Sequence, residues 1–110
     1  MEKNFRVEKD FLGEKEIEQN SYYGIQTLRA KENFDITKTD ISLFPNFIKS
    51  LAKVKKACAL TNFELGDLND RQRDAIIQAC NEIIDGKFHE QFIVDPIQGG
   101  AGTSTNMNVN

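Results

Sequence analysis

The sequence predicts a mainly α-helical domain with one small β-hairpin near its start. Two long segments repeat apolar residues at three- and four-residue steps, which is the spacing of a helix with one buried face. A short N-terminal stretch instead alternates apolar and charged residues, as a strand does. Of the 110 residues, 39% are hydrophobic and 28% are charged, a balance typical of one globular domain.

Residues 5–17 are predicted to form the hairpin, because apolar and charged residues alternate on both sides of a turn that contains aspartate and glycine. A short helix is expected over Gln26–Ala30, with Asn20 or Ser21 as its cap. Residues 31–43 lack sustained periodicity, so this stretch is predicted to be irregular.

Two longer helices are predicted over Pro45–Leu65 and Asp70–Asp85. Proline is tolerated in a first turn, and each segment is followed by a glycine that suits a helix end. Asn69 and Gln72 have the spacing of a capping box at the start of the second helix. Because the connection is short, the helices are expected to pack as an antiparallel pair. The expected apolar stripe of the first helix is Phe47, Leu51, Val54, Cys58, Thr61 and Leu65, widened by Ile48 and Ala52, and that of the second helix is Ile76, Cys80, Ile83 and Ile84.

The first 98 residues offer no evident catalytic or metal-binding constellation. His89 is the only histidine, within a predicted extended connection over residues 87–98, and a surface or packed role is expected for it. Cys58 and Cys80 lack the close spacing of a metal or redox pair, so we expect two reduced thiols in the core. The sequence contains no P-loop, GxGxxG or GxSxG motif.

The charge distribution argues against nucleic-acid and membrane partners. The formal net charge is -3, and the densest basic cluster, Lys53, Lys55 and Lys56, is too short to follow a phosphate backbone. No apolar stretch approaches the ~18 residues of a membrane span, and the start lacks the apolar core of a signal peptide. A cytoplasmic protein is therefore expected.

The segment Gly99–Asn110 carries the densest chemical signal in the chain. Three glycines occupy four positions, and hydroxyl and amide side chains follow them. Glycine permits close backbone approach to a ligand, and neutral donors at a helix start suit an anion. A glycine hinge followed by a helix cap stays open as the alternative, although one cap needs one hydroxyl whereas Thr103, Ser104 and Thr105 offer three. Because the sequence stops on a helix-start pattern, we expect the front of a longer polypeptide.

Three segments, taken in order, resemble the aspartase/fumarase superfamily. Gln98–Asn110 resembles the first of its three shared segments, and Tyr22–Phe34 resembles its block near the N-terminus. Arg6–Glu14 is similar to the opening of the aspartase branch. Because these segments fall at family-like spacing over nearly the whole chain, the chain is identified as a member. The resemblance implies the helical N-terminal domain, with its small hairpin, of a helical-bundle enzyme.

Two departures favour the aspartase branch over class II fumarases. Those fumarases usually read Ser-Gly-Thr-Gln-Ser-Asn-Met-Asn in the loop, and they carry tryptophan before the Gly-x-Gln-Thr of the early block. Here Ala101–Asn108 reads Ala-Gly-Thr-Ser-Thr-Asn-Met-Asn, and Tyr23 precedes Gly24. A class II fumarate hydratase acting on malate is the second interpretation, and a non-catalytic helical interaction module is the third.

The resemblance implies a reversible anti-elimination that yields fumarate, with release of ammonia from L-aspartate in the aspartase branch. Removal of the weakly acidic Cβ proton leaves a dianionic intermediate that fixed donors must stabilise. By resemblance, the Thr103 hydroxyl and nearby backbone N–H groups contact a substrate carboxylate. Ser104 and Asn106 are further candidate contacts, and Ala101 and Gly102 would shape the loop.

The resemblance places other parts of the enzyme outside this chain. The general-base serine belongs to a mobile loop beyond residue 110, and family active sites combine three subunits of a homotetramer. We therefore expect no catalytic residue here, no turnover by the 110-residue chain alone, and self-association or marginal stability through exposed apolar faces. Arg29 is either a further anion partner or part of a structural ion pair. No cofactor or metal is expected from this sequence. Activation of the enzyme by a divalent cation stays open, because this sequence contains no ligand cluster that would reveal it.

Overall fold

The computed structural model describes residues 4–110, which form two compact units. The first unit joins the residues up to Leu43 to Glu90–Asn110, and the second is Phe44–His89. The first unit contains a hairpin, a helix and the C-terminal segment, whereas the second contains two long helices. The mainly helical architecture with one hairpin is therefore as the sequence predicts.

The hairpin consists of β1 (Phe5–Asp10) and β2 (Gly13–Glu18), which pair antiparallel with Asp10 opposite Gly13. Gly13 has a φ of +123°, a conformation that side chains disfavour, so glycine suits this turn. The Asp10 carboxylate accepts the backbone N–H of Leu12 at 2.9 Å, which closes the turn. The predicted hairpin is confirmed, with its second arm one residue longer.

The first helix, α1, spans Ile25–Asn33 and is longer than the predicted Gln26–Ala30. It extends into residues 31–43, the stretch expected to be irregular, and a 3₁₀ turn at Ile41–Leu43 ends that stretch. Short helices gain most of their stability from packing against neighbours, and α1 contacts both strands and the C-terminal helix. Because those contacts are distant in sequence, local periodicity underestimates the length of α1.

The predicted cap of α1 is wrong. Neither Asn20 nor Ser21 lies at its start, where Gly24 takes the cap position without a side-chain hydrogen bond. The Glu8 carboxylate of β1 accepts the N–H of Ile25 at 2.9 Å instead. A donor of the first helical turn is thus satisfied by a side chain distant in sequence, which local capping rules do not anticipate.

The second unit is built from α2 (Pro45–Glu64) and α3 (Asp70–Ile84), which pack against each other. The predicted capping box is present at the start of α3. Asn69 Oδ1 accepts the N–H of Gln72 at 2.8 Å, and Gln72 Oε1 accepts the N–H of Asn69 at 3.1 Å. Local signals therefore located both helices to within a residue at each end.

The buried face of α2 agrees with the predicted stripe only in part. Ile48 and Ala52, which widen the predicted stripe, are buried together with Ala59, whereas Phe47 and Val54 are 46% and 60% exposed. The helix carries apolar residues on more than one face, so their spacing alone does not identify the face that is covered. The predicted stripe is wrong at these positions for that reason.

The two cysteines differ in burial, although both were expected in the core. Cys80 is buried, and burial raises the pKa of its thiol, whereas Cys58 is exposed. We predict that a thiol-reactive dye labels one cysteine per native chain quickly, because exposure and thiolate character control the rate. Cys58→Ser should remove the fast phase, and Cys80 should react only after denaturation. Fast labelling that survives Cys58→Ser would contradict this placement.

The predicted extended connection over residues 87–98 contains a 3₁₀ turn at His89–Gln91. Beyond that turn, Val94 is buried, and its carbonyl accepts the N–H of Ile41 at 3.0 Å. The histidine Nε2 lies 2.9 Å from the carbonyl oxygen of Ile83, so of the surface and packed roles expected for this side chain the structure shows the packed one. The connection is thus more structured than its sequence indicates.

Candidate functional site

A cleft in the first unit lies between the hairpin turn, α1 and a short C-terminal helix, α4 (Thr103–Val109). Its volume is about 790 Å³, which is in the range of pockets that hold small molecules. Helix α1 contacts both the hairpin and α4, so the elements that bound the cleft pack on one another. The lining includes Asp10, Phe11, Arg29, Phe34, Thr103, Ser104 and Met107.

Glycines set the path of the chain into α4. Gly100 and Gly102 have φ values of +73° and +84°, conformations that side chains disfavour. Gly102 occupies the cap position, and no side chain forms a cap hydrogen bond there. The hydroxyls of Thr103 and Ser104 therefore do not act as caps of α4, which leaves the helix-cap interpretation without support.

Thr103 and Ser104 both line the cleft. Ser104 is only 4% exposed, whereas Thr103 is exposed at the mouth of the cleft. Across residues 4–110, no hydrogen bond engages either hydroxyl, so both remain available to a ligand. The other three predicted contacts, Ala101, Gly102 and Asn106, lie outside the lining of this cleft.

Gln98 holds the start of α4 from outside the helix. Its Oε1 accepts the N–H of Thr105 at 2.9 Å, and its Nε2 donates to the Thr105 hydroxyl and to the Asp95 carbonyl, each at 2.9 Å. A donor in the first turn of α4 is thereby satisfied, as a capping side chain would satisfy it. Sequence reasoning missed this role, because Gln98 stands several positions before the helix.

Asn108 anchors the other end of α4. Its Oδ1 accepts the N–H groups of Ile93 and Val94 at 2.8 and 3.3 Å, and its Nδ2 donates to the Gln91 carbonyl at 2.9 Å. The side chain is buried, so its polar atoms need these partners. Sequence reasoning did not separate Asn108 from its neighbouring asparagines, because only the helix face distinguishes them.

Asp95 is a buried carboxylate that joins two loops of the first unit. Its Oδ2 accepts hydrogen bonds from the N–H of Ile36 and from both the N–H and the hydroxyl of Thr37, at 3.0, 2.7 and 3.0 Å. Its Oδ1 accepts the N–H of Ile97 at 2.8 Å. Burial would raise the pKa of Asp95, but these hydrogen bonds together lower it below its ordinary value. A charged carboxylate therefore holds the two loops together at neutral pH.

Arg29 forms a structural ion pair with Asp10 at the edge of the cleft. Its Nε and Nη2 donate to the two carboxylate oxygens at 2.8 and 3.0 Å, and Nη2 also donates to the Gly13 carbonyl at 3.2 Å. The hydrogen bonds from Arg29 lower the pKa of Asp10 below its ordinary value. Of the two alternatives for Arg29, the structure shows the ion pair, which ties α1 to the hairpin turn.

We predict that three carboxylates make the first unit sensitive to acid. The pKa values of Glu8, Asp10 and Asp95 are lowered from ordinary values of 4.5, 3.8 and 3.8. Because the unfolded chain binds protons more readily at these groups, their stabilisation is complete above the ordinary pKa values and is lost as the pH falls through the folded ones. The thermal midpoint should therefore stay level near neutrality and fall below about pH 4.5.

Two variants test the assignment of this acid response. Asp95→Asn removes a carboxylate that accepts hydrogen bonds from four donors. The thermal midpoint of this variant should therefore fall less steeply with decreasing pH than that of the wild type. Asp35→Asn changes an exposed carboxylate of the same unit and should leave the fall unchanged. Identical pH profiles for the two variants would contradict the role assigned to Asp95.

The described residues hold no group of three or more His, Cys, Asp or Glu side chains placed to bind a metal ion. In the same residues, no helix combines the length and the apolar character needed to cross a membrane. The polar groups that line the cleft include the Thr103 and Ser104 hydroxyls and the Asp10–Arg29 ion pair.

Comparison with known proteins finds aspartate ammonia-lyases among the relatives of this chain. It is 59% identical over 105 residues to the aspartate ammonia-lyase of Helicobacter pylori, and 60% identical over 109 residues to that of Bacillus subtilis. These matches cover 96% and 99% of the chain, respectively. The chain spans 22% of the length of each of these relatives.

Solved structures with the same fold carry related names. A fumarate lyase:delta crystallin from Brucella melitensis bound to cobalt superposes with a TM-score of 0.92 at 49% identity, over 96% of this chain and 23% of that one. A class II fumarase from Schistosoma mansoni gives 0.87 at 37% identity, over 96% and 22%. A family model described as "Lyase" matches residues 13–110. Because this match covers most of the sequence, the chain belongs to that lyase family, as the resemblance of its three segments predicts.

Proposed function

We propose that the whole protein containing this chain is an aspartate ammonia-lyase, which eliminates ammonia reversibly from L-aspartate to give fumarate. The observation that supports this most is the match of nearly the whole chain to enzymes of that name, at higher identity than to the class II fumarase. Because the chain spans about a fifth of those relatives, we assign the activity to the whole protein.

We assign the cleft to one carboxylate of the substrate. The Thr103 hydroxyl and neighbouring backbone N–H groups would donate to that carboxylate, and the Ser104 hydroxyl would add a second contact. Loss of the Cβ proton increases the negative charge on the carboxylate, so donors that are already fixed lower the barrier to that step. Hydroxyl donors are neutral and unpaired here, and they therefore reach the anion without breaking an internal ion pair.

The remaining predicted contacts have smaller roles in this assignment. Gly102 and Ala101 would shape the backbone that leads to Thr103, with Gly102 in a left-handed conformation. Asn106 is exposed on α4, so we place it at the periphery of the substrate site. We place the general base, a serine in the family, outside residues 1–110, and we expect the isolated chain to show no turnover.

We further infer that L-aspartate and fumarate are the only ligands required, with no cofactor and no nucleic-acid or membrane partner. Activity should then survive removal of divalent cations with a chelator. A loss of activity that magnesium restores would replace this inference with activation by a divalent cation. We also propose that the whole protein is a cytoplasmic homotetramer. Light scattering of the whole protein would measure its oligomeric state.

Class II fumarate hydratase is the second candidate, because the chain shares its fold with the Schistosoma enzyme. The loop residues Ser104 and Thr105, and Tyr23 before Gly24, favour the ammonia-lyase by resemblance. Fumarate formation by the whole protein, measured with L-aspartate and with L-malate in parallel, separates the two. We expect turnover of L-aspartate; turnover of L-malate alone would assign the chain to the hydratases. Turnover of neither would favour a non-catalytic interaction module.

A further inference from the structure

Gln98 fastens the segment that presents the cleft hydroxyls. Its side chain reaches seven residues along the chain, where it bonds to both the N–H and the hydroxyl of Thr105. Its Nε2 donates in addition to the Asp95 carbonyl, so the fastening is joined to the loop that Asp95 holds. Thr103 lies inside the segment that this amide closes, although Gln98 itself is not part of the cleft lining.

Among the described residues, no side-chain hydrogen bond is made by or to residues 99–103. Gly99, Gly100 and Gly102 have no side chains to pack, and glycine loses more conformational freedom on folding than any other residue. The Phe34 ring lies against Gly99, where an added Cβ would be only 3.0 Å from a ring atom. The Thr103 hydroxyl has no hydrogen bond to any residue from 4 to 110. The position of Thr103 therefore depends strongly on the Gln98 amide.

The arrangement requires an amide rather than a carboxylate. Oε1 acts as an acceptor for the Thr105 N–H while Nε2 acts as a donor to the Asp95 carbonyl. Glutamate keeps the acceptor, but it has no donor for that carbonyl and places a negative charge against the carbonyl oxygen. Gln98→Glu is accordingly a nearly isosteric change that removes the hydrogen bond to the Asp95 carbonyl and keeps the acceptor for the Thr105 N–H.

We propose that Gln98 is a positioning residue that sets where the Thr103 hydroxyl meets the substrate carboxylate. This inference rests on the proposed function and adds a residue outside the cleft to it. Misplacing a catalytic donor by about 1 Å can lower the rate about 100-fold. Since the donor contributes most when charge develops, the loss should appear in kcat more than in KM.

Steady-state kinetics of the whole protein with L-aspartate test this role. Gln98→Glu should lower kcat by about 100-fold, whereas Gln78→Glu, at an exposed position of α3, should leave it unchanged. In a Thr103→Ala background, Gln98→Glu should cause at most a few-fold further loss, because residues that act through one another are non-additive. An unchanged kcat in Gln98→Glu, or a second full loss in the double variant, would overturn the proposal.

Two further measurements separate positioning from folding and from the proposed function. Thr105→Ser keeps the hydroxyl that Gln98 binds and should retain activity, so a loss there equal to that of Gln98→Glu would count against the fastening. Amide hydrogen exchange over residues 99–106 should speed up in Gln98→Ala while exchange over α2 is unchanged, and this readout needs no turnover. Unchanged exchange over residues 99–106 would overturn the inference, whereas a wild-type protein that releases no ammonia would instead reject the proposed function.

Discussion

Alanine at position 103 is expected to lower kcat/KM of the whole enzyme for L-aspartate by about 100-fold, as the loss of one transition-state donor typically does. The Thr103 hydroxyl lines the cleft and bonds to no residue that the structure describes, so the substitution removes a donor to the ligand and leaves the fold intact. The negative charge of the substrate carboxylate grows in the transition state. Therefore kcat should fall more than KM rises, which initial rates of fumarate formation would measure.

Two variants control for effects of Thr103→Ala that are unrelated to the hydroxyl. Thr103→Ser keeps an oxygen donor at the same position and should restore most of the activity. Thr61→Ala makes the same chemical change at an exposed position of α2 and should have wild-type kinetics. Wild-type kinetics for Thr103→Ala would remove this hydroxyl from the substrate site.

Replacement of Ile48 by alanine is expected to destabilise the 110-residue chain by about 2–5 kcal/mol, the range for truncating a buried isoleucine. Ile48 is 0% exposed in α2, so the change leaves a cavity in addition to the loss of apolar burial. Urea unfolding followed by far-UV circular dichroism would measure the change in the free energy of unfolding.

Val54→Ala is the matched control for Ile48→Ala. Val54 is also β-branched and lies in the same helix, but it is 60% exposed, so its truncation should change the free energy of unfolding by less than about 0.5 kcal/mol. A larger effect at Val54 than at Ile48 would mean that the Val54 side of the predicted stripe, rather than the face seen in the structure, is buried.

Local interactions explain which parts of the fold the sequence predicts well. The ends of α2 and α3 agree with prediction because a proline, a capping box and glycines act within one turn of each end. The face of α2 was not predictable in the same way, since its apolar residues form more than one possible stripe. Cys58 illustrates the consequence, as it belongs to the predicted stripe and is exposed in the structure.

The part of the candidate site that depends on local composition could be predicted from the sequence. The part that depends on contacts between distant residues could not. The hydroxyl-rich segment after the glycines indicated Thr103 and Ser104 as ligand contacts, and both line the cleft in the structure. The same composition gave no reason to separate Ser104 from Asn106, which does not line the cleft. Gln98 and Asp95 hold this segment through partners several residues to tens of residues away, so their roles become visible only in the fold.

A crystal structure of the whole protein with bound fumarate tests the central claim most directly. We predict a fumarate carboxylate in the cleft, with one oxygen within about 3 Å of Thr103 Oγ1, which is ordinary hydrogen-bond distance. The Gln98–Thr105 hydrogen bonds should be retained in that complex. Fumarate bound at a site that includes neither Thr103 nor Ser104 would contradict the assignment of this cleft to the substrate.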